Sequence, residues 1–295
     1  MRGKQRSRPV ESIVAEARRL AAEGVKEINL ISQDTINYGV DLGLRQGLVQ
    51  LLRELVKVEG LRWIRPFYLY PQQVTDDLLD LYAGEEKITK YIDMPLQHIN
   101  DRMLKRMHRL GDRAAIEALV DRIRTRIPAV TFRTAFIVGF PGESDAAFTE
   151  LHEYVTQAEF DRVAVFLYSD EEGTSAADLH EKVDREVMDE RRNAILSAQE
   201  SIMAAQGRAK VGSILDVLID GRSEETEHAL EGRHEGLAPE IDGVVYIDEG
   251  KSDITPPHPA RQTVSSPTGG DFCKVEITDA AAFDLVGRLV ANQAS

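Results

Sequence analysis

The sequence predicts an α/β chain in which a partial (β/α) TIM-type barrel is followed by a small all-β barrel of oligonucleotide-fold (OB-like) size. Three observations carry this reading. Apolar runs that read as strands begin near residues 25, 62, 90, 130 and 160, at intervals that suit one strand plus one crossover helix and therefore parallel pairing. Between these runs and the tail, Met188, Ile195, Ala198 and Ile202 recur at helical spacing. After residue 210 the pattern becomes short strands separated by turns, with no helical period. The expected organisation is a partial barrel over 1–183, a bridging helix over 184–210 and the small barrel over 211–295. A doubly wound sheet is the competing architecture for the first part.

The leading helix is expected over Pro9–Glu23. Val10, Ile13, Ala17 and Leu20 share one face, a proline suits a first helical turn, and Gly24 suits the exit. Only MRGKQRSR precedes it, and nothing there reads as a strand able to cover that face, so exposed apolar surface on this helix is expected. Val25–Ile31 is a strand, Ser32–Leu44 a polar loop and Arg45–Val58 a helix. Arg62–Leu69 is the second strand, where Pro66 removes a ladder bond or bends the chain. Thr75 caps a short helix containing Leu78, Leu79 and Tyr82, with Asp76 and Asp77 at its positive end.

Lys90–Met94 is a strand that runs into PLQH, and Asn100–Ile127 supplies a short and a longer helix separated near Gly111. The clearest unit is FRTAFIVGFPGES, Phe132–Ser144. A bounded run of β-branched and aromatic residues ends the strand Val130–Val138 in a glycine turn and delivers it to a helix over Ser144–Gln157. Phe160–Leu167 is the fifth strand, followed by YSDEEGT. In the tail, VGSILDVLID, EHALEGR, GVVYID, DFCKVEIT and DLVGRLV read as five strands, and closing them removes exposed edges. Lys251–Gly270 holds Pro256, Pro257, Pro259 and Pro267 and reads as a flexible excursion.

Composition narrows the function classes. Of 295 residues, 42% are hydrophobic and 29% charged, and no apolar stretch approaches the ~20 residues of a spanning helix, so no membrane partner is expected. The basic amino terminus lacks the apolar segment of a secretory signal, and a cytoplasmic location is the expectation. One cysteine, Cys273, excludes an internal disulfide and a three-thiolate cluster or four-thiolate zinc site built from this chain alone. The net charge is −14, and 211–295 carry 16 acidic against 6 basic residues. Such a surface disfavours a phosphate backbone and favours a basic protein, although acidic surfaces also serve solubility alone.

In a parallel barrel the loops after the strands build the site. Ser32–Asp41, Tyr70–Pro71, Pro95–His98, Gly139–Glu143 and Tyr168–Thr174 are thus expected on one rim. Gln33 and Asp34 suit hydrogen bonding to a polar ligand, or Asp34 a loop cap. Asp93, Gln97 and His98 follow one strand closely: Asp93 suits orienting a base or sugar, and His98 donates, accepts or simply satisfies its turn. Arg133, on a strand, is either half of a structural ion pair or a bidentate hold on a carboxylate. The turn from Gly139 to Glu143 permits close backbone approach to an adenine, yet it lacks the spacing of a P-loop or dinucleotide fingerprint. Ser169 and the acids after it suit polar substrate atoms or plain exposure. None of these groups forms a nucleophile, base and orienting-acid set, so positioning a reactive cofactor is favoured over hydrolysis.

Taken together, RGKQRSRP, LISQDTINYG, WIRPFYLYP, YIDMPLQH, MHRLGDR, FRTAFIVGFPGE, FDRVAVFLYSDEEGTSAA and GLAPEIDGVVYI closely resemble the ribosomal protein methylthiotransferases. These are radical S-adenosylmethionine (radical SAM) enzymes that modify an aspartate of small-subunit ribosomal protein twelve. The resemblance covers essentially the whole chain. IDMPLQH, IVGFPGE and YSDEEGT are shared with sister enzymes that methylthiolate tRNA, whereas APEIDG and the acidic tail look more like the ribosomal-protein branch.

The resemblance implies a partial radical SAM barrel, a TRAM domain that presents substrate, and S-adenosylmethionine held by Gln33, Asp34, Gln97, His98, Arg133, Gly139, Glu143 and Ser169. It implies methylation of a sulfur donor, then reductive cleavage of a second cofactor molecule to a radical that takes hydrogen from the aspartate β-carbon. Its partners would be the basic ribosomal protein and an electron donor, with tRNA disfavoured. Family members hold 4Fe-4S clusters, one on a CxxxCxxC loop and one in an amino-terminal domain, and neither cysteine triad occurs here. The expectation is a chain that is inactive alone, as a fragment, a truncated reading or one piece of a split enzyme. The tRNA-modifying branch and a non-catalytic ribosomal-protein-binding fragment are the alternatives.

Overall fold

The computed structural model describes residues 3, 5–223, 229–248, 267–281 and 283–290, so most of the proline-rich excursion expected over 251–270 lies outside the described residues. The chain divides into two compact units, Met1–Ile202 and Met203–Ser295, and the division falls inside the long helix α7 (Arg185–Lys210).

The first unit alternates strands and helices. α1 (Val10–Ala22) starts one residue later than expected, because Pro9 is extended (φ −56, ψ 145) and its carbonyl accepts from Ser12 and Ile13 N–H. The irregular segment before it is tied down without being a strand: Ser7 N–H donates to Asp41 Oδ2, Gly39 N–H to Ser7 Oγ, and Tyr38 Oη–H to Arg8 O. There follow β1 (Glu27–Leu30), α2 (Gly47–Leu55), β2 (Trp63–Pro66), α3 (Asp76–Gly84), β3 (Tyr91–Asp93), α4 (Asp101–Arg106) and α5 (Arg113–Arg126). β4 (Thr131–Val138), α6 (Asp145–Ala158) and β5 (Arg162–Leu167) complete the series before α7.

Caps fall where short polar side chains precede apolar periods. Thr75, Asn100, Asp112 and Ser144 each accept the N–H three residues on, satisfying one of the helix's orphan donors. Several elements are shorter than the apolar runs suggest, for local reasons. α2 cannot begin at Arg45, because Gln46 takes a left-handed φ of 54. β2 stops at Pro66: Phe67 N–H still donates to Leu30 O at 3.0 Å, but Tyr68 turns left-handed (φ 56) and the chain leaves the ladder.

Strand order decides the architecture. β1 pairs with β2, β3 with β4 and β4 with β5, all parallel. β2 and β3 are joined by a parallel bridge at Ile64–Ile88 and by Leu69 N–H donating to Asp93 O at 2.8 Å. The five strands therefore lie in chain order, without the reversal that a doubly wound sheet requires. A right-handed crossover repeated in one direction places every helix on the same face, which is TIM-type winding.

The two faces of this sheet differ sharply in chemistry. Ile28, Leu30, Ile64, Ile92, Phe132, Phe136 and Val138 join one core with helix residues such as Leu52, Leu79, Val120 and Leu151. Alternate positions on the other face carry Glu27, Asn29, Arg65, Asp93 and Arg133 instead. Arg65, fully buried, pairs with Glu27 at 2.9 Å and lies 4.6 Å from the centre of the Tyr91 ring, so its charge is matched by a carboxylate and a ring face.

The second unit is a closed five-stranded barrel: β6 (Ile214–Arg222), β7 (Ala229–His234), β8 (Val245–Asp248), β9 (Phe272–Ala281) and β10 (Asp284–Leu289), in the order β10-β8-β7-β6-β9. β9–β10 closes the ring and β8–β10 is its one parallel pair among the described residues. Val217, Ile219, Leu230, Val245, Ile247, Val275 and Ile277 fill it. Cys273 sits half-buried on β9 against this core, and burial pushes its thiol pKa up, which suits a small packing residue.

Candidate functional site

The polar face of the first sheet opens into a cleft of about 890 Å³ at the carboxyl ends of the strands. Its floor comes from alternate β4 residues, Arg133, Ala135 and Ile137, with Phe166 of β5 beside them. Its walls are Ile31, Ser32 and Gln33 after β1, Tyr68 and Tyr70 after β2, and Pro95 and Gln97 after β3. The volume and the mix of apolar walls with few polar groups match a site for a small organic ligand.

Two of the wall residues hold unusual backbone. Gln97 has φ 72, and His98 N–H donates to Leu96 O at 2.9 Å, so Gln97 is the centre of a γ-turn of the rare, positive-φ kind. Its peptide is locked to β4 on both sides: Gln97 N–H donates to Ala135 O at 2.8 Å and Ile137 N–H to Gln97 O at 2.9 Å. Tyr68, also left-handed, donates its N–H to Asp93 Oδ2 at 2.9 Å. Strained positions of this kind persist only where surrounding bonds over-determine them.

The same Asp93, fully buried, accepts from Arg133 Nη1 at 2.6 Å through its other oxygen. One carboxylate thus fixes the guanidinium on the cleft floor and the turn on the cleft wall. Arg133 is half of an ion pair, as one of the two sequence readings had it, and it also lines the cleft.

Behind the wall lies a second polar cluster. His98 is fully buried; its Nδ1 accepts from Ile99 and Asn100 N–H at 2.9 and 3.0 Å, which leaves the ring proton on Nε2, 3.1 Å from Glu143 Oε1. Glu143 Oε2 accepts from Gly139 N–H at 2.6 Å and from Arg191 Nη1 of α7 at 2.7 Å, and Arg191 Nη2 reaches Asp145 at 2.7 Å. Buried charge is tolerable here because every oxygen of Glu143 has a donor.

The expected site residues therefore separate. Gln33, Gln97 and Arg133 meet in the cleft. His98, Gly139 and Glu143 meet in the buried cluster next to it. Gly139 needs its φ of 77, and a Cβ there would lie 2.3 Å from Met188 Cγ, so this turn packs on α7 and not on the cleft. Asp34 accepts from the Asn37 side chain and shapes the loop after β1. Ser169 is exposed and donates to Glu171 at 3.1 Å; Phe140 and Tyr168 meet edge to face, 5.0 Å between ring centres, where the fifth rim loop meets the glycine turn. Tyr70 lines the cleft from a loop expected on the rim, whereas Tyr68, Ile137 and Phe166 escaped sequence reasoning. Period-two alternation from Arg133 would have found Ile137, whereas nothing local marks Tyr68.

Known proteins resemble this chain in both units. The family model described as the radical SAM superfamily matches residues 1–155, more than half of the chain. The chain belongs to the radical SAM superfamily. A TRAM domain model matches residues 211–290, the closed barrel. Ribosomal protein uS12 methylthiotransferase RimO of Anaeromyxobacter sp. (strain K) is 48% identical over 295 residues, covering 100% of this chain and 60% of that protein. Those of Sorangium cellulosum (strain So ce56) and Geobacter sulfurreducens are 46% and 43% identical, covering 100% and 99% of this chain and 59% and 62% of theirs. The chain thus spans about 60% of the length of these curated relatives. As a radical SAM chain, it places its cleft at the strand ends where parallel barrels carry their chemistry.

Proposed function

We propose that this chain serves the methylthiolation of ribosomal protein uS12, with S-adenosylmethionine held in the cleft of the first unit and the protein substrate engaged by the TRAM barrel. The observation that carries the reading is the 48% identity, along the whole chain, with a uS12 methylthiotransferase. The cleft suits the cofactor's parts. Arg133, aimed by Asp93, holds the carboxylate of the amino-acid end; the amides of Gln33 and Gln97 bond its polar atoms; Ala135, Ile137 and Phe166 pack on the adenine. His98 and Glu143 act from behind by fixing the wall that carries Gln97, and Asp34 shapes the loop that carries Gln33. When bound, one molecule of the cofactor would supply the methyl group and a second, on one-electron reduction, the radical that takes hydrogen from the aspartate β-carbon.

A 4Fe-4S cluster does not fit the residues of this chain. Cys273, the single cysteine, lies on β9, and no three His, Cys, Asp or Glu side chains among the described residues are grouped to hold a metal ion. The chain therefore supplies cofactor and substrate binding, while the cluster-dependent step needs thiolates from other polypeptide. A net negative second unit favours uS12 over tRNA as partner.

Calorimetric titration tests this. S-adenosylhomocysteine should bind, Arg133→Ala should weaken it at least tenfold, and uS12 should outcompete tRNA. A clear preference for tRNA would sink the substrate assignment. Stoichiometric 4Fe-4S uptake on anaerobic reconstitution with iron and sulfide would contradict the ligand count.

A further inference from the structure

APEIDG, residues 238–243, belongs to neither the cleft nor the barrel core, and its construction is specific. Ala238 N–H donates to Asp242 Oδ2 at 2.9 Å and Asp242 N–H returns to Ala238 O at 3.2 Å, closing a loop in which Glu240 takes a left-handed φ of 65. The loop abuts Phe283 and Asp284 at the start of β10. A Cβ on Gly243 would lie 2.0 Å from Phe283 O, so only glycine permits this approach. Val244 N–H donates to Asp284 Oδ1 at 2.8 Å, and Leu285 N–H to Val244 O at 2.9 Å.

Each of these two joined segments presents one large apolar side chain to solvent: Ile241 is 50% exposed and Phe283 55%. The barrel has no need of them, since nine other residues fill its interior. Carboxylates flank them along the chain: Glu240 and Asp279 are exposed, and Asp242 and Asp284 follow Ile241 and Phe283 directly, each with one oxygen on a backbone N–H. Three basic side chains of the barrel are already neutralised: Arg233 by Asp220, Lys274 by Asp216 and Arg288 by Glu276, at 2.7 to 2.9 Å. A phosphate backbone meets repulsion here, while a basic polypeptide gains both steering and an apolar foothold.

We propose that Ile241 and Phe283 form an apolar anchor, flanked by carboxylates, for a Lys- and Arg-rich protein segment that contributes an apolar side chain of its own. This rests on the reading that the macromolecular substrate is the basic ribosomal protein, and it names where that protein is gripped. The hydrogen-bonded loop under Ile241 suits an interface hot spot, because little freedom is lost there on binding.

The test uses the full chain and recombinant uS12, with affinity measured at low and physiological salt. The double variant Ile241→Ser/Phe283→Ser should bind uS12 about thirty-fold more weakly, the loss usual for a truncated hot spot. It should keep the wild-type thermal midpoint and affinity for S-adenosylhomocysteine. Glu240→Lys/Asp279→Lys should weaken binding mainly at low salt, and this pair decides the matter if the apolar variant shifts the midpoint. Wild-type affinity for uS12 in a folded apolar variant, or an unchanged salt dependence in the charge variant, overturns the anchor and leaves the proposed function standing. Absence of uS12 binding by the unmodified chain, with tRNA bound instead, overturns both.

Discussion

Replacing Gln97 separates backbone strain from ligand contact. A non-glycine residue held at φ 72 costs on the order of 1–2 kcal/mol relative to an ordinary conformation. Glycine removes that cost but loses about 0.5–1 kcal/mol of unfolded-state entropy, so Gln97→Gly should stabilise by roughly 0.5–1 kcal/mol. In a chain of this size that raises the thermal midpoint by about 1–4 °C. Gln97→Ala keeps the strain and should leave the midpoint near wild type. Both variants lose the amide in the cleft. One hydrogen bond contributes about 0.5–1.5 kcal/mol net, so S-adenosylhomocysteine should bind roughly three- to tenfold more weakly to each. Differential scanning fluorimetry and calorimetric titration read the two effects separately. A glycine variant no more stable than the alanine variant would refute the strain argument, and unchanged affinity in both would remove Gln97 from the ligand site.

Three other outcomes follow from the buried cluster and its neighbours. Glu143→Ala removes the buried partner of Arg191, leaving it the exposed Asp145 and a backbone carbonyl, and also unpairs His98 Nε2 and Gly139 N–H, so it should cost about 3–5 kcal/mol in urea denaturation; a loss below about 1 kcal/mol would show that water reaches the cluster. Gly139→Ala combines a left-handed φ with a 2.3 Å approach to Met188 and should cost about 2–4 kcal/mol. Adding Met188→Ala should restore part of that loss, and strict additivity of the two would place the clash elsewhere. Glu150 accepts from Asn100 at 2.6 Å and Arg113 at 3.0 Å, which hold its carboxyl below its ordinary 4.5. A lowered folded pKa stabilises above the unfolded value and is lost as pH falls through the folded one, so Glu150→Gln should flatten the stability profile below about pH 4.5. Parallel profiles for the two proteins would exclude this contribution.

Local chemistry made much of the fold readable. Thr75 and Ser144 announce helix starts because a short oxygen before an apolar period caps orphan N–H groups, and both caps form. The tail reads as a closed barrel because its short apolar runs alternate at period two and leave no helix to cover an edge. What stayed hidden depends on partners distant in sequence. Glu143 follows a strand end like any rim residue, yet Arg191, 48 residues later, and His98 claim its carboxylate. Gly139 looks like a ligand-approach glycine, but Met188 of α7 occupies the space. Gln97 gives no hint of its γ-turn, since glutamine has no preference for positive φ; the two bonds to β4 impose it.

The charged face of the first sheet also guards against misfolding. A slip of one residue in any strand exchanges its two faces. Applied to β2, it would drive Arg65 among the leucines beneath the helices and strip Glu27 of its partner; applied to β4, it would do the same to Arg133 and Asp93. Burying such an unpaired charge costs several kcal/mol, comparable to the whole stability of an ordinary domain. The ions that open the cleft to a polar ligand thereby make misregistered pairings too costly to persist.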